Sequence, residues 1–184
     1  MAILNTAKKF MLYAQEATGH VLYKLASQCI EMDNGNDLQI EINTINNNLT
    51  DKGSTASIGN YGIEWILTTS YKNIAGNEIR NTNTDVFEIK NNAIYINKAG
   101  YYYVSAQTNC HVVTNGNNTI WMKVVKNSSD VLSAQGYVYN GYITVNTQGV
   151  VWCEVGDYLD VMVSASVASA IKCSGQDKLT LIKL

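Results

Sequence analysis

FEIKNNAIYINKAGYYYVSAQTNCHVV, residues Phe87–Val113, reads as two extended segments and the corner between them. Ile94 and Ile96 alternate, Lys98-Ala99-Gly100 breaks the pattern, and Tyr102, Val104, Ala106, Thr108, Cys110 and Val112 then fall on one side of a long run. The opposite side carries Tyr101, Tyr103, Ser105, Gln107, Asn109 and His111. One face is core; the other is aromatic at one end and polar along the rest. A mixed second face of this kind suits a surface that meets another copy of itself.

The rest of the chain shares this β texture. Twelve tyrosines against two phenylalanines, with no proline, favour strands joined by Asn/Gly turns over a helical bundle. Hydrophobic residues make up 46% and charged residues 15%, with a formal net charge of −2, which argues against a protein that holds nucleic acid through phosphate contacts. At 184 residues there is room for one ordinary core and a smaller appendage. No segment is long and apolar enough to span a bilayer as a helix, and the N-terminus lacks a positive region followed by an apolar core, so assembly in a cytoplasm is expected without membrane insertion. Cys29, Cys110, Cys153 and Cys173 lie too far apart for a short metal motif and are expected to be buried free thiols.

Three regions follow from the texture. Residues 1–50 form an attachment arm with a short amphipathic helix, 51–62 a linker, and 63–184 a β-rich head. Phe10, Leu12 and Ala14, and again Val21, Tyr23 and Leu25, alternate as in extended segments, while Leu4, Ala7, Met11 and Ala14 would also make a helical stripe. An arm this apolar must lie on its own head or become ordered on a larger assembly. Asp37 is placed to cap a helix in which Leu38, Ile42, Ile45 and Leu49 repeat as a coiled-coil seam would, although a single helix packed on the head fits the same spacing. Gly53, Ser54, Ser57, Gly59 and Gly62 give 51–62 its linker character.

Within the head, 63–71 reads as a strand and 73–84 as a polar loop with a short strand around 78–80. A strand over 119–126 follows Asn115-Gly116, and Asn127 to Asp130 make the next turn. Asn140-Gly141 is the strongest hairpin signal, because a two-residue type I′ turn needs positive φ at both positions. Residues 149–155 read as a buried strand, 158–167 as another, and 177–184 as a last strand pinned inside a sheet.

These residues resemble the C1q/TNF-like jelly-roll family, whose aromatic signature is occupied here by Phe87, Ile94, Gly100, Tyr102 and Val104, two of them aliphatic where the family prefers phenylalanine. Val155-Gly156-Asp157-Tyr158-Leu159 is similar to the Gly-Asp start of a family strand, and Ser174-Gly175 precedes a terminal apolar strand as it does there. The resemblance covers roughly residues 61 to 184. It implies a mainly β sandwich that assembles as a compact homotrimer with aromatic residues near the threefold axis. A trimer interface through Tyr101, Tyr103, Ser105, Gln107 and His111 is therefore expected, with Leu38, Ile42, Ile45 and Leu49 as an N-terminal seam. The arm and the short Leu/Ile repeat are similar in layout to attachment regions of bacteriophage fibre and decoration proteins. That similarity implies a virion protein bound to the capsid through residues 1–50, or alternatively a tail protein whose loops at 73–84, 115–118 and 127–130 read a host surface glycan or protein.

Catalytic chemistry has little to work with. His111 and Cys110 are strand neighbours and point to opposite faces, so they cannot act together as base and nucleophile within one chain. Asp157 and Asp160 could contribute oxygens to calcium, but Asp157 more simply serves the turn after Gly156. Glu64, Glu78 and Glu88 are scattered without the logic of a carboxylate pair. Tyr101, Tyr103, Tyr137, Tyr139, Tyr142 and Trp121 could stack on sugars or form a subunit interface, and the resemblance favours the interface. No enzyme activity, metal or cofactor is expected.

Overall fold

The computed structural model describes residues 51–74 and 76–184, so the arm, the helix and the seam at Leu38, Ile42, Ile45 and Leu49 lie outside the described residues. The described part is built from strands: β1 (Thr55–Tyr61), β2 (Trp65–Ile66), β3 (Lys72–Asn73), β4 (Glu78–Asn81), β5 (Phe87–Lys90), β6 (Ala93–Ile96), β7 (Gly100–Val112), β8 (Asn118–Lys126), β9 (Ser129–Val138), β10 (Tyr142–Cys153), β11 (Tyr158–Ala165), β12 (Ile171–Cys173) and β13 (Gln176–Lys183). They form two antiparallel sheets packed face to face as a jelly-roll sandwich. In the first, β7 is flanked along one side by β10 and along the other by β13 and β12, with β1 and β4 beyond β13 and β2 beyond β12. The second runs β5-β6-β11-β8-β9, with β3 also on β11.

The alternation of β7 places its inward residues as expected. Tyr102, Val104, Ala106, Thr108 and Cys110 are buried and face a second-sheet layer that includes Ile94, Ile96, Ile120, Met122, Val124, Leu159, Val161 and Val163. Phe87 and Tyr102, both in the aromatic signature, meet edge to face with ring centroids 5.6 Å apart. The Tyr102 hydroxyl donates to the Lys98 carbonyl, so the buried ring keeps its polar tip satisfied. Burial is the first reason its phenol is held far above the ordinary tyrosine range.

Four expectations are corrected. The stretch 51–62 is not a linker: it contains β1, paired with β13 on one side and β4 on the other. Its small residues are what allow the fit, since Ser57 and Gly59 sit on the face opposite Ala56 and Ile58 and are buried as well. Within 63–71 only Trp65–Ile66 is strand, an edge piece laid on β12. Asn140-Gly141 does not close a hairpin. β9 pairs with β8 and β10 with β7, so the chain passes there from one sheet to the other. Finally, 149–155 is half exposed, because every second side chain of β10 leaves the core.

The two-residue turns with positive φ at both positions fall elsewhere. Asn91 and Asn92 (φ 53° and 58°) join β5 to β6, and Asn127 and Ser128 (φ 49° and 69°) join β8 to β9. These are type I′ geometries, in which asparagine tolerates the left-handed region better than most residues. Where β9 and β10 face each other across the corner, Gly136 lies under Ile143 and Val145, and Gly149 lies under Leu132. A β-carbon on Gly136 would stand 2.6 Å from the Ile143 methyl, and one on Gly149 would stand 2.7 Å from a Leu132 methyl. The absence of side chains is what lets the sheets close at this corner.

Candidate functional site

The outward face of the first sheet carries a contiguous set of aligned side chains. Antiparallel register aligns it in rows. Trp152 stands opposite Tyr101, Val150 and Ile182 flank Tyr103, Gln148 and Thr180 flank Ser105, Asn146 and Lys178 flank Gln107, and Tyr142 and Lys172 flank His111. All five β7 residues expected at a trimer interface thus share one face, and β10 and β13 complete it. Tyr101 (57% exposed), Val150 (58%), Trp152 (45%) and the half-buried Tyr103 and Ile182 make one end apolar. The other end is polar until it reaches His111 and Tyr142, whose rings lie 5.5 Å apart.

Cross-strand bonds hold these side chains in place. Tyr103 Oη donates to Gln148 Oε1 at 2.6 Å, Asn109 Nδ2 to Gln176 Oε1 at 3.0 Å, and the Thr144 hydroxyl to Asn109 Oδ1. At the apolar end the indole of Trp152 donates to Glu154 at 2.7 Å, and its ring meets Tyr101 edge to face. Aromatic rings fixed this way lose little rotamer entropy when a partner covers them. Nδ1 of His111 is buried and has no hydrogen-bond partner among the described residues.

The alternation of β7 made its half of this face legible. Val150, Trp152 and Ile182 were missed there. Val150-Val151-Trp152-Cys153 is a continuous apolar run, so its period of two does not show in sequence.

The residues considered for chemistry are scattered. Cys110 points into the core and His111 to the opposite face. Glu64 is 3.5 Å from Lys172, Glu78 pairs with Arg80, and Glu88 pairs with Lys90. Asp157 serves its corner, accepting from the Glu154 amide (2.9 Å) and Asn127 Nδ2 (2.5 Å), with Lys126 at 3.2 Å. Burial alone would raise its pKa, but these donors together hold it below the ordinary value. Asp160 is instead buried beside Asn73, whose Nδ2 donates to it at 3.1 Å, and desolvation pushes its carboxyl upward. The two aspartates therefore serve different partners. Among the described residues no three His, Cys, Asp or Glu side chains gather as a metal set, and no helix is long and apolar enough to cross a membrane.

No protein-family model matches the chain, and no curated protein matches it in sequence. Solved structures do match the fold. Eiger TNF from S. frugiperda aligns at a TM-score of 0.52 and 11% identity, covering 72% of this chain and 93% of that one. Murine APRIL at pH 5.0 aligns at 0.52 and 13% identity, and at pH 8.0 at 0.52 and 17%, each covering 72% of this chain and all of the other. The sandwich is a TNF-like jelly roll.

Proposed function

We propose that this chain is a non-enzymatic structural protein that works as a homotrimer, its TNF-like heads joined through the outward face of the first sheet. The observation that carries the reading is the apolar end of that face. Tyr101, Tyr103, Val150, Trp152 and Ile182 adjoin one another on strands held in register, and a contiguous exposed aromatic patch of this kind marks an interaction surface. A closed threefold arrangement would cover it equally in every copy. The wider setting is a virion, with residues 1–50 anchoring a capsid decoration or head-fibre protein assembled in a host cytoplasm. The layout of the arm and its Leu/Ile repeat supports that part. Three arms would make the attachment multivalent, so modest contacts per arm would sum to firm binding.

A second reading, a tail protein that recognises a host glycan, is favoured by one feature. Asn117, Asn118, Thr119, Tyr137, Val138 and Tyr139 line an open cleft of about 270 Å³ in which two exposed tyrosines stand beside amide groups. Flat rings with nearby amides suit a sugar.

Size-exclusion chromatography with light scattering on the full chain at micromolar concentration tests the assembly. The mass of three chains is expected, and the mass of one overturns it. Imaging of intact particles with antibody to the head separates the two settings, since label spread over the capsid favours decoration and label at the tail tip favours adhesion.

A further inference from the structure

We propose that Cys110 and Cys173 are a reversible dithiol–disulfide pair, a covalent lock between β7 and β12. The two residues are direct cross-strand partners, and their Sγ atoms lie 3.5 Å apart in the core. Neither side chain is exposed. The backbone fixes which kind of pair they form. Ser174 N donates to Asn109 O at 2.7 Å and Val113 N to Ala170 O at 2.8 Å, so the hydrogen-bonded pairs of this ladder are 109 with 174 and 113 with 170. Alternation then makes Cys110–Cys173 a non-hydrogen-bonded pair. In such pairs the Cα atoms approach to about 4.5 Å and the side chains are closest, which falls inside the range a disulfide bridges. Side-chain rotation can therefore bring the sulfurs to bonding distance with the ladder in place.

The surroundings suit a pair that is stable in either state. As thiols the two sulfurs share the Thr108 hydroxyl, which lies 3.6 Å from Cys110 and 3.4 Å from Cys173 and itself donates to Asp177 at 2.5 Å. Asp177 also accepts from the Trp65 indole at 2.9 Å. As a disulfide the sulfurs need no donor, and Thr108 keeps its bond to Asp177. Hydrogen bonding between the two thiols holds Cys110 below the usual thiol range and Cys173 above it, and first attack by either sulfur leads to the same bond.

The reaction is thiol–disulfide exchange with a small-molecule disulfide as oxidant. The Cys110 thiolate, its proton released to solvent, attacks one sulfur of the oxidant. The oxidant's S–S bond breaks, one thiolate leaves, and a mixed disulfide remains on Cys110. Cys173, losing its proton, then attacks the Cys110 sulfur and expels the second thiolate. The protein loses two hydrogens and the oxidant becomes two thiols. Access comes from the edge of the sheet, because β12 is three residues long and, among the described residues, the strand paired along its outer side is the two-residue β2. Short edge pieces open locally at far lower cost than the whole sandwich. The proposal is independent of the assembly and of its setting.

The test uses the full reduced chain, equilibrated natively with reduced and oxidised glutathione at graded ratios. Samples are acid-quenched, alkylated in denaturant and mapped by mass. Two of the four thiols are expected to disappear together, in a peptide pair joining Cys110 to Cys173 and without retained glutathione. The Tm should rise by roughly 10 °C, as for a long closed loop, and return with dithiothreitol. Cys110→Ser should abolish the cross-link, whereas Cys153→Ser should leave it unchanged. Refolding from denaturant in the same buffers gives the oxidant access to every thiol, so slow opening cannot hide the result. Cys110 and Cys173 both alkylated after refolding, a different cysteine pair joined, or a cross-link that lowers the Tm would each overturn the proposal.

Discussion

Tyr101 and Trp152 are cross-strand partners on β7 and β10, packed edge to face with ring centroids 4.9 Å apart, and each keeps about half of its surface in water. Exposed aromatic pairs are worth about 1 kcal/mol to a sheet, too little to explain why the neighbouring Val150 and Ile182 are apolar too. The proposed assembly would account for all four. Tyr101→Glu combined with Val150→Glu would place two like charges side by side in the contact. The expected outcome is a fall from trimer to monomer mass, with the dissociation constant raised at least about a hundredfold, while the monomer's far-UV circular dichroism is unchanged. An unaltered trimer mass would place the contact on another face.

The corner between β9 and β10 makes a separate prediction about the fold. Gly136→Val would drive a side chain into Ile143 and Val145, both within 3 Å of where a β-carbon would stand. Overpacking of this kind costs about 1–3 kcal/mol, read as a lower urea midpoint with the slope unchanged. Adding Ile143→Ala should recover part of the loss. If the single variant is as stable as the parent, the two sheets are not in contact there.

Both corrections along β1 and the β9–β10 corner have the same physical origin. Period-two alternation is visible when one face is apolar and the other polar, as with Tyr102, Val104 and Ala106 against Ser105 and Gln107, so β7 and the signature it belongs to could be read directly. In β1 the second face is filled by Ser57 and Gly59, small residues that also describe a loop, and only pairing with β13 and β4 distinguishes the two. At Asn140-Gly141 the turn chemistry is local, but whether the flanking strands bond to each other is decided by what else each can pair with. The outward face was legible on β7 for the same reason that its apolar end was hidden on β10, where Val150 to Cys153 are apolar on both faces.

Asp157 and Asp160 should give opposite pH signatures. The folded pKa of Asp157 is depressed, so its contribution is present above the unfolded carboxylate value and lost as pH falls through the folded one. Asp157→Asn should cost about 1–2 kcal/mol at pH 7 and almost nothing in strong acid. The folded pKa of Asp160 is raised, so its ionisation weakens the fold as pH rises through the carboxylate range. Asp160→Asn removes that cost, and its amide can donate to Asn73 Oδ1, which is buried without a partner among the described residues. Its Tm should match the parent's in acid and exceed it by a few degrees at pH 7. Thermal melts across pH check both signs.

Asp51, placed in a linker by sequence, is 5% exposed and accepts from Lys98 Nζ at 2.8 Å, with Lys183 Nζ at 4.0 Å. Lys98 is partly in water, but Lys183 is as enclosed as the carboxylate, and burial lowers its pKa against the pull of Asp51. Removing one member of such a pair strands the other, which is costlier than never having either. Asp51→Ala should therefore destabilise the fold by about 3 kcal/mol, and Asp51→Leu with Lys183→Met should lie much closer to the parent. A double-mutant cycle in urea separates the two outcomes, because additive costs would mean that Asp51 and Lys183 act independently. Strong coupling would mean that the first described residue helps to hold the final strand, through an ion pair that spans nearly the whole described sequence.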